Sequence, residues 1–260
     1  MTGTYLDRIL AAHRARAEAD DRPLGPLREA AAAEPAPRRF RDALAGTQGL
    51  AVIAEVKRRS PSKGDLAVGL EPADLARRYE AGGASCLSVL TDAEFFGGSA
   101  ADLASARAAT ALPVLRKDFT VSERDVCDAR LMGADCVLLI AAALSPDELR
   151  RFHALAAEVG IDALVEIHDE AELAIALDAG ATLVGVNQRD LVTFAVDHDR
   201  AVRMAGLIPS TVVRVAESGV RGADDAHALH AAGYHAVLVG ETLVTAADPA
   251  ATIRALRGNP

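Results

Sequence analysis

The chain has 260 residues, of which half are apolar, and a formal net charge of −9. This length suits a single α/β barrel of roughly 250 residues, and the apolar half is enough for a large core. The acidic balance argues against a nucleic-acid partner, because proteins that bind the phosphate backbone are normally basic.

Three helical patterns precede the first predicted strand. They are TYLDRILAAHRARAEA, LGPLREAAAA and RRFRDALAG. We expect residues 1–48 to form a helical extension packed on the remainder of the chain, residues 49–260, the two together making one domain. The spacing is compatible with two positions for this extension, a plug at the base of the core or a lid partner over an active site.

A repeat organises the remainder of the chain. Four alanine-rich helical patterns end at a glycine and pass directly into an apolar run, and these glycines are Gly83, Gly133, Gly180 and Gly233. Glycine is the usual residue just past a helix end. The spacings of 50, 47 and 53 residues each accommodate two βα units of roughly 25 to 30 residues.

The other strands of the repeat are LAVIAEVK, LPVLRKD, DALVEIH and TVVRVAES. Together with the four runs after the glycines they make eight strands, each followed by a helical pattern. Near-continuous apolar runs are typical of parallel strands that helices cover. The sequence therefore predicts an α/β fold, a (β/α)8 TIM barrel with an N-terminal helical extension. A doubly wound open sheet is the alternative, but its first βα turn is usually glycine-rich, whereas Ser-Pro-Ser stands here.

Polar side chains end five of the predicted strands at inward-facing positions. Alternate residues of a strand point the same way, so these polar residues are in phase with apolar core residues. The set comprises Glu55, Lys57, Lys117, Glu166, Asn187 and Glu217. Because the carboxyl ends of barrel strands form the active-site face, we expect these groups to meet at one mouth, with perturbed pKa values suited to acid and base chemistry.

Two glycine-containing segments, ESGVRG and VGETLV, follow the last two strands. In TIM barrels this is the usual phosphate site, formed by free N–H groups and a helix N-terminus. Plain turn glycines are the alternative. The seven histidines form neither HxH nor HExxH spacing, so no metal site is predicted, and we assign His168 a structural role.

The three cysteines, Cys86, Cys127 and Cys136, form no CxxC pair, which is typical of reduced core thiols in a cytoplasmic protein. No apolar secretion signal is apparent at the N-terminus. The longest apolar run, CVLLIAAAL, has about half the length that a membrane span needs. We expect no membrane association, and a monomer is compatible with the sequence.

The strand-end motifs together resemble one known family, the indole-3-glycerol-phosphate synthases. They are IAEVKRRSPSKGDL, TDAEFFGGSADL, LPVLRKDF, LVEIHDE, GVNQRDLVTFAVD, VAESGV and VLVGETLV, and they cover about residues 50 to 248 in the family's order. The resemblance implies a carboxy-lyase of tryptophan biosynthesis that needs no cofactor or metal. Its small-molecule substrate would be the anionic 1-(2-carboxyphenylamino)-1-deoxyribulose 5-phosphate, which is closed to indole-3-glycerol phosphate with loss of CO2 and water.

The resemblance also implies roles for individual residues. Lys117 would be the acid for ring closure, Glu166 a second acid or base, and Glu55 a base or the group that orients Lys117. Lys57 would pair with the substrate carboxylate, and a buried lysine beside a second cation is expected to have a lowered pKa. Substrate contacts would come from Ser60, Phe119, Asn187, Arg189, Leu191 and Glu217. Phosphate contacts would come from Ser218, Gly219, Gly240 and Glu241. Phe95 or Phe96 and Leu138 would add to the apolar wall of the site, with plain core residues as the alternative.

The family's extra N-terminal helix covers the catalytic mouth, which favours the lid position for residues 1–48. RRSPSKGDL would be a mobile first loop, bent at Ser60, Pro61 and Ser62, that closes on substrate. A solvated basic loop is the alternative. Arg124 and Asp125 depart from the family's usual Tyr-Gln pair, which puts the packing beside Lys117 in question. Glu241 stands where some members have Ser, and its side chain is expected to point away from the phosphate.

Two other functions fit a phosphate-binding barrel. Phosphoribosylanthranilate isomerase typically has a cysteine base on the first strand and an aspartate on the fifth, whereas Glu55, Lys57 and Glu166 stand here. A non-catalytic binding barrel would be expected to have lost Lys57, Lys117 or Glu166, and all three are present.

Overall fold

The computed structural model describes residues 4–60, 63–190 and 192–258. Eight parallel strands close into a barrel in which each strand pairs with its neighbours in sequence, and β1 also pairs with β8. The strands are β1 Ala51–Val56, β2 Cys86–Leu90, β3 Val114–Lys117, β4 Cys136–Ile140, β5 Asp162–Ile167, β6 Leu183–Asn187, β7 Val213–Glu217 and β8 Ala236–Val239. The predicted TIM barrel is confirmed, and the open-sheet alternative is wrong.

Side-chain alternation divides the apolar residues between two cores. The barrel interior is filled from alternate strand positions, among them Ile53, Leu115, Leu164, Val213 and Val215. The intervening residues of the same strands pack outward against the helices. The strand phases predicted from the polar ends are therefore confirmed, because the inward residues are those in phase with Glu55, Lys117, Glu166 and Glu217.

The helices form the outer layer. They are α4 Pro72–Ala81, α5 Ala93–Phe96, α6 Ala100–Ala109, α7 Glu123–Leu131, α8 Pro146–Glu158, α9 Glu170–Asp178, α10 Arg200–Ala205, α11 Ala223–Ala231, α12 Glu241–Val244 and α13 Pro249–Leu256. Several begin at a side-chain cap, as at Ser122, Ser145 and Asp169. The four glycines of the repeat all adopt the left-handed conformation just past a helix, with φ between 85° and 98°.

The N-terminal helices α1 Tyr5–Ala19, α2 Leu24–Ala33 and α3 Phe40–Ala45 occupy different faces of the barrel. Phe40 and Leu44 of α3 are buried in the inner core beside the first residues of the strands. The backbone N–H of Arg41 donates to the Asp162 carboxylate at the start of β5, at 2.9 Å. Thus α3 plugs the base of the barrel.

Helix α1 lies at the opposite end. The Tyr5 ring meets Phe95 and Phe194 edge-on, with centroids 5.9 Å and 5.6 Å away. Arg14 of α1 also donates to Glu148 of α8 at 2.9 Å. Both positions considered for the extension are therefore occupied, by different helices.

The loop after β1 forms a small antiparallel hairpin in which Arg59–Ser60 pairs with Gly64–Asp65. Its predicted bend falls on Pro61 and Ser62, which lie outside the described residues. In the ranges given above, no helix is long and apolar enough to cross a membrane.

Candidate active site

A cavity of about 390 Å³ opens at the carboxyl ends of the strands. All thirteen predicted site residues that the structure describes line it, and Leu191 lies outside the described residues. Leu138 and Phe96 line it as well, whereas Phe95 is buried against Tyr5. The sequence prediction that these side chains meet at one mouth is supported by this placement.

All three lysines of the chain, Lys57, Lys63 and Lys117, line this one cavity. The remaining 25 basic residues are arginines, which stay protonated in proteins and cannot serve as proton donors. A lysine ammonium can release a proton and recover it. The distribution of basic residues therefore points to acid chemistry within the cavity.

Glu55 and Lys57 form a close pair, with Glu55 Oε1 2.5 Å from Lys57 Nζ. They share a face because they are two residues apart at the end of β1. Gly240 makes room for them, since a Cβ there would lie 2.2 Å from Glu55 Oε1 and 2.9 Å from Lys57 Nζ. The direct partner of Glu55 is thus Lys57, and Glu55 acts on Lys117 through charge.

Glu166 is at the centre of a second cluster. Lys117 Nζ lies 3.6 Å from Glu166 Oε2, and the Asn187 amide donates to Oε1 at 2.9 Å. Asn187 is itself oriented, because its Oδ1 accepts from the backbone N–H of Arg189 at 3.0 Å. Glu217 occupies space left by Gly185 on the neighbouring strand, where a Cβ would lie 1.9 Å from Glu217 Oε1.

The buried charges separate the pKa values of the two carboxyl groups. Burial would raise the pKa of Glu166, but Lys117, His168 and the Asn187 amide lower it overall. Burial and the neighbouring charge of Glu166 raise the pKa of Glu217 to about 8. Near neutral pH, Glu166 is an ionised base and Glu217 a protonated carboxyl that can donate a hydrogen bond.

The expected lowering of a lysine pKa is wrong for Lys117. Burial lowers its pKa, but Glu166, Glu217 and Glu55 together raise it above the ordinary value. The prediction assumed a neighbouring cation, whereas the structure surrounds Lys117 with carboxyl groups. Lys117 is therefore fully protonated and available as an acid.

The two predicted phosphate segments lie side by side. Ser218 and Gly219 both have positive φ, 64° and 75°, and the first turn of α12 begins at Gly240 without a side-chain cap. The Thr242 hydroxyl donates to the Val220 carbonyl at 2.7 Å and joins the two loops. Unsatisfied N–H groups at a helix start favour an anion. The Glu241 side chain is partly exposed, and its Oε1 lies 3.6 Å from Lys63 Nζ.

Apolar side chains form the other wall of the cavity. The Phe96 and Phe119 rings are tilted toward each other with centroids 6.4 Å apart, and Leu138, Ile140 and Phe194 complete the surface. Phe194 has a φ of 60°, an unusual conformation for a residue with a large side chain. This wall can hold an aromatic ring next to the charged groups.

Several cavity residues were missed by the sequence reasoning: Lys63, Asp92, Asp118, Phe194, Val196, His198, Thr242 and Arg221. Most lie in loops, where side-chain direction does not follow strand alternation. His168 was assigned a structural role, yet its Nε2 lies 3.7 Å from Glu166 Oε1. Asp92 belongs to the DAEFF segment and His168 to the HDE segment, but their spacing alone carried no signal.

The departure at Arg124 and Asp125 affects packing around the third loop. The Asp125 carboxylate caps the start of α7 with Ser122, and Arg124 Nε donates to the Arg22 carbonyl at 2.7 Å. The two residues thus secure α7 and tie it to the N-terminal extension. Neither lines the cavity as the structure describes it.

His13, Asp92 and Asp118 converge in space, although no metal motif appears in the sequence. Arg16 lies 3.4 Å from Asp92, and Arg116 lies 3.1 Å from Asp118. These guanidinium groups already neutralise the carboxylates that a cation would need. The cluster is therefore explained as a contact between α1 and the barrel.

Comparisons with known proteins agree with this geometry. The family model described as indole-3-glycerol phosphate synthase matches residues 6–256. The chain is 54% identical over 232 residues to "Indole-3-glycerol phosphate synthase 2" of Streptomyces coelicolor, covering 89% of this chain and 90% of the relative. It is 56% identical over 210 residues to an indole-3-glycerol phosphate synthase of Nocardioides sp., covering 81% of each chain.

Among solved structures, thiamine phosphate pyrophosphorylase from Pyrococcus furiosus superimposes with a TM-score of 0.61 over 84% of this chain and 96% of that one. Its sequence is 15% identical, so this likeness shows the barrel fold alone. The family match and the curated relatives carry the assignment. The chain belongs to the indole-3-glycerol phosphate synthase family.

Proposed function

We propose that the protein converts 1-(2-carboxyphenylamino)-1-deoxyribulose 5-phosphate into indole-3-glycerol phosphate, CO2 and water, as a step of tryptophan biosynthesis. The observation that carries the proposal is the convergence of Lys57, Lys117 and Glu166 on one cavity beside an anion-binding pair of loops. An aryl-amino sugar phosphate has an aromatic ring that suits the apolar wall, a carboxylate that suits the lysines and a phosphate that suits the anion-binding loops.

Substrate placement follows from the chemistry of the walls. The phosphate binds the N–H groups of the Ser218–Gly219 and Gly240–Glu241 segments. The aromatic ring lies against Phe96, Phe119 and Leu138, while its carboxylate pairs with the Lys57 ammonium. The sugar hydroxyls contact Asn187 and protonated Glu217, and Ser60 and Arg189 supply the remaining contacts.

The reaction then uses the ionised groups in turn. Lys117 donates a proton to the ketone oxygen as the ring carbon attacks, so a C–C bond forms and the ketone becomes a hydroxyl. Loss of CO2 restores the aromatic ring. Departure of the hydroxyl as water needs a second proton from a lysine, and Glu166 accepts the proton that the new five-membered ring loses.

Further properties belong to the same proposal. All predicted site residues that the structure describes line a cavity within one chain, so the proposed reaction needs no residue from a second copy. The three cysteines are buried and free, as expected in a reducing compartment such as the cytoplasm. The contacts of α1 and α3 with both ends of the barrel support one domain made of residues 1–48 and 49–260.

The direct test is to incubate the purified protein with the proposed substrate in metal-free buffer and to follow indole fluorescence. Lys117→Ala should abolish turnover while circular dichroism stays unchanged. Lys117→Arg keeps the positive charge but cannot donate a proton, so it should be equally inactive. Arg150→Gln, on the exposed face of α8, is the matched control with wild-type turnover. Near-normal turnover of either Lys117 variant would contradict the acid role.

A further inference from the structure

His168 follows β5 directly and lies behind Glu166. Its Nδ1 is 3.0 Å from Glu172 Oε2, and its Nε2 is 3.7 Å from Glu166 Oε1. The side chain is 13% exposed. Glu172 belongs to the first turn of α9 and, like His168, is not part of the cavity lining described above. The imidazole thus stands between a carboxylate of the site and one outside it.

The hydrogen bonds of Glu172 define the protonation of this ring. Glu172 Oε2 accepts from the backbone N–H of His168 at 2.7 Å as well as from Nδ1. Because a carboxylate oxygen can only accept hydrogen bonds, the proton in its contact with the ring must be on Nδ1. A neutral ring would then direct the Nε2 lone pair toward Glu166 Oε1, whereas the doubly protonated ring presents N–H.

The surroundings favour the doubly protonated form. Nε2 is buried, and Glu166 Oε1 lies 3.7 Å from it, beyond hydrogen-bond distance but close enough for charge attraction. Burial lowers the pKa of His168, but Glu172 on α9 and Glu166 on β5 raise it overall, against the opposing charge of Arg200 on α10. Within residues 4–60, 63–190 and 192–258, these are the charged groups that act most strongly on the ring.

Glu166 therefore lies between two cations, whereas Glu217 does not. Lys117 acts on both carboxyl groups, but His168 and the Asn187 amide contact Glu166. Two buried carboxyl groups side by side cannot both ionise near neutral pH, so one of them retains a proton. The difference between the contacts of Glu166 and those of Glu217 determines which carboxyl group keeps the proton.

We propose that His168, oriented by Glu172, is a positioning residue that holds the negative charge of the Glu166–Glu217 pair on Glu166 and leaves the shared proton on Glu217. The proposal rests on the proposed function, in which Glu166 is the base and Glu217 a hydrogen-bond donor. It adds a third carboxylate and an imidazole to the groups that set the protonation of the site.

The kinetic test uses His168→Gln, Glu172→Gln and the control Glu170→Gln, an exposed carboxylate in the same turn of α9. In the full-length protein, the acid limb of the kcat/KM–pH profile should move up by about one pH unit in His168→Gln, the size expected for loss of a nearby opposite charge. Glu172→Gln should move it in the same direction by less, and Glu170→Gln should leave it unchanged. A fall in kcat with an unmoved limb in both variants would overturn the proposal, because a purely structural role predicts that result.

A second readout does not depend on turnover. Carbon-13 NMR of protein labelled at the glutamate carboxyl carbon, assigned with Glu166→Gln, follows the Glu166 titration directly. The proposal expects a higher Glu166 pKa in His168→Gln and in Glu172→Gln. An unchanged Glu166 titration would overturn it even if the enzyme is active. A shifted titration in a protein that lacks indole fluorescence activity would instead leave the positioning intact and overturn the proposed function.

Discussion

His13 Nε2 lies 3.0 Å from Asp92 Oδ2, which connects the N-terminal helix to the mouth of the barrel. Asp92 Oδ1 accepts from the backbone N–H groups of Phe95 and Phe96 and so begins α5. Asp118, the residue after Lys117, lies 3.7 Å from the same imidazole nitrogen. One side chain of α1 therefore contacts two of the loops that carry cavity residues.

Replacing this imidazole should weaken the contact of α1 with the barrel. We expect His13→Ala to lower the free energy of unfolding by about 1–3 kcal/mol, because it removes a buried side chain and its contacts with the Asp92 and Asp118 carboxylates. His13→Lys should recover most of the loss, since an ammonium can donate to both. Urea unfolding measures the effect, with Glu18→Ala, exposed on the same helix, as control. A wild-type unfolding midpoint for His13→Ala would contradict this account of the contact.

Gly240 should not tolerate a side chain. Its backbone φ of −112° is open to alanine, so the cost comes from the added Cβ, which would lie 2.2 Å from Glu55 Oε1. We expect Gly240→Ala to displace the Glu55–Lys57 pair and to reduce kcat/KM at least about 100-fold. Gly206→Ala is the matched control, because nothing lies within 4 Å of a Cβ there. Equal kinetics for the two variants would show that the pair does not depend on this glycine.

The raised pKa of Glu217 predicts a pH-dependent stability. In the folded protein Glu217 keeps its proton up to about pH 8, whereas in the unfolded chain it loses the proton near its ordinary value of 4.5. Between these values the folded state binds more protons, so this residue makes the free energy of unfolding fall as pH rises. Glu217→Gln should remove that fall and be more stable than wild type at pH 8. Its free energy of unfolding relative to that of wild type should increase between pH 4.5 and pH 8 by on the order of 1–3 kcal/mol.

The measurement for Glu217 is denaturant unfolding at a series of pH values. The exposed Glu29→Gln variant of α2 controls for loss of one negative charge. Curves for wild type and Glu217→Gln that run parallel between pH 4.5 and 8 would mean that Glu217 titrates as an ordinary carboxyl.

Lys63 should contribute to binding of the phosphate. Its Nζ lies 3.6 Å from Glu241, at the start of α12, and the side chain is 57% exposed. We expect Lys63→Gln to raise KM and the inhibition constant of inorganic phosphate several-fold, with kcat nearly unchanged, because an exposed charge contributes about 1 kcal/mol. Lys63→Arg should restore both constants.

The control for Lys63 lies in the same hairpin. Arg59 pairs with Asp65 at 2.9 Å, both side chains being exposed, and Arg59 is not among the cavity residues described above. Arg59→Gln should therefore leave both constants near wild type. Equal changes in the two variants would attribute the effect to the hairpin as a whole.

The barrel and most of the site could be predicted because both follow from short-range regularities. A glycine after each alanine-rich helix indicates where a strand begins. The alternation of side-chain direction along that strand then predicts which residues face inward. Lys117, Glu166 and Glu217 are found this way, since each needs only its own strand for the inference.

The contacts of His13, Phe194 and His168 could not be predicted for a physical reason. His13 meets Asp92 across a gap of many helices and strands, and Phe194 lies in a loop whose direction depends on its positive φ. Glu172, the partner of His168 on α9, is close in sequence, but the distance from His168 to Glu166 depends on how β5 ends. The raised pKa of Lys117 also required knowledge of which charges surround it.

The pairing of β1 with β8 determines when the anion-binding pocket is complete. Ala51 and Ala236 come from opposite ends of the barrel sequence, so their register forms only after the ribosome has delivered the last strand. Lys57 meets Gly240, and Lys63 meets Glu241, across this same seam. A chain that stops before residue 236 lacks Gly240 and Glu241 and therefore has no closed anion pocket. Competence to bind substrate therefore requires that this seam be closed.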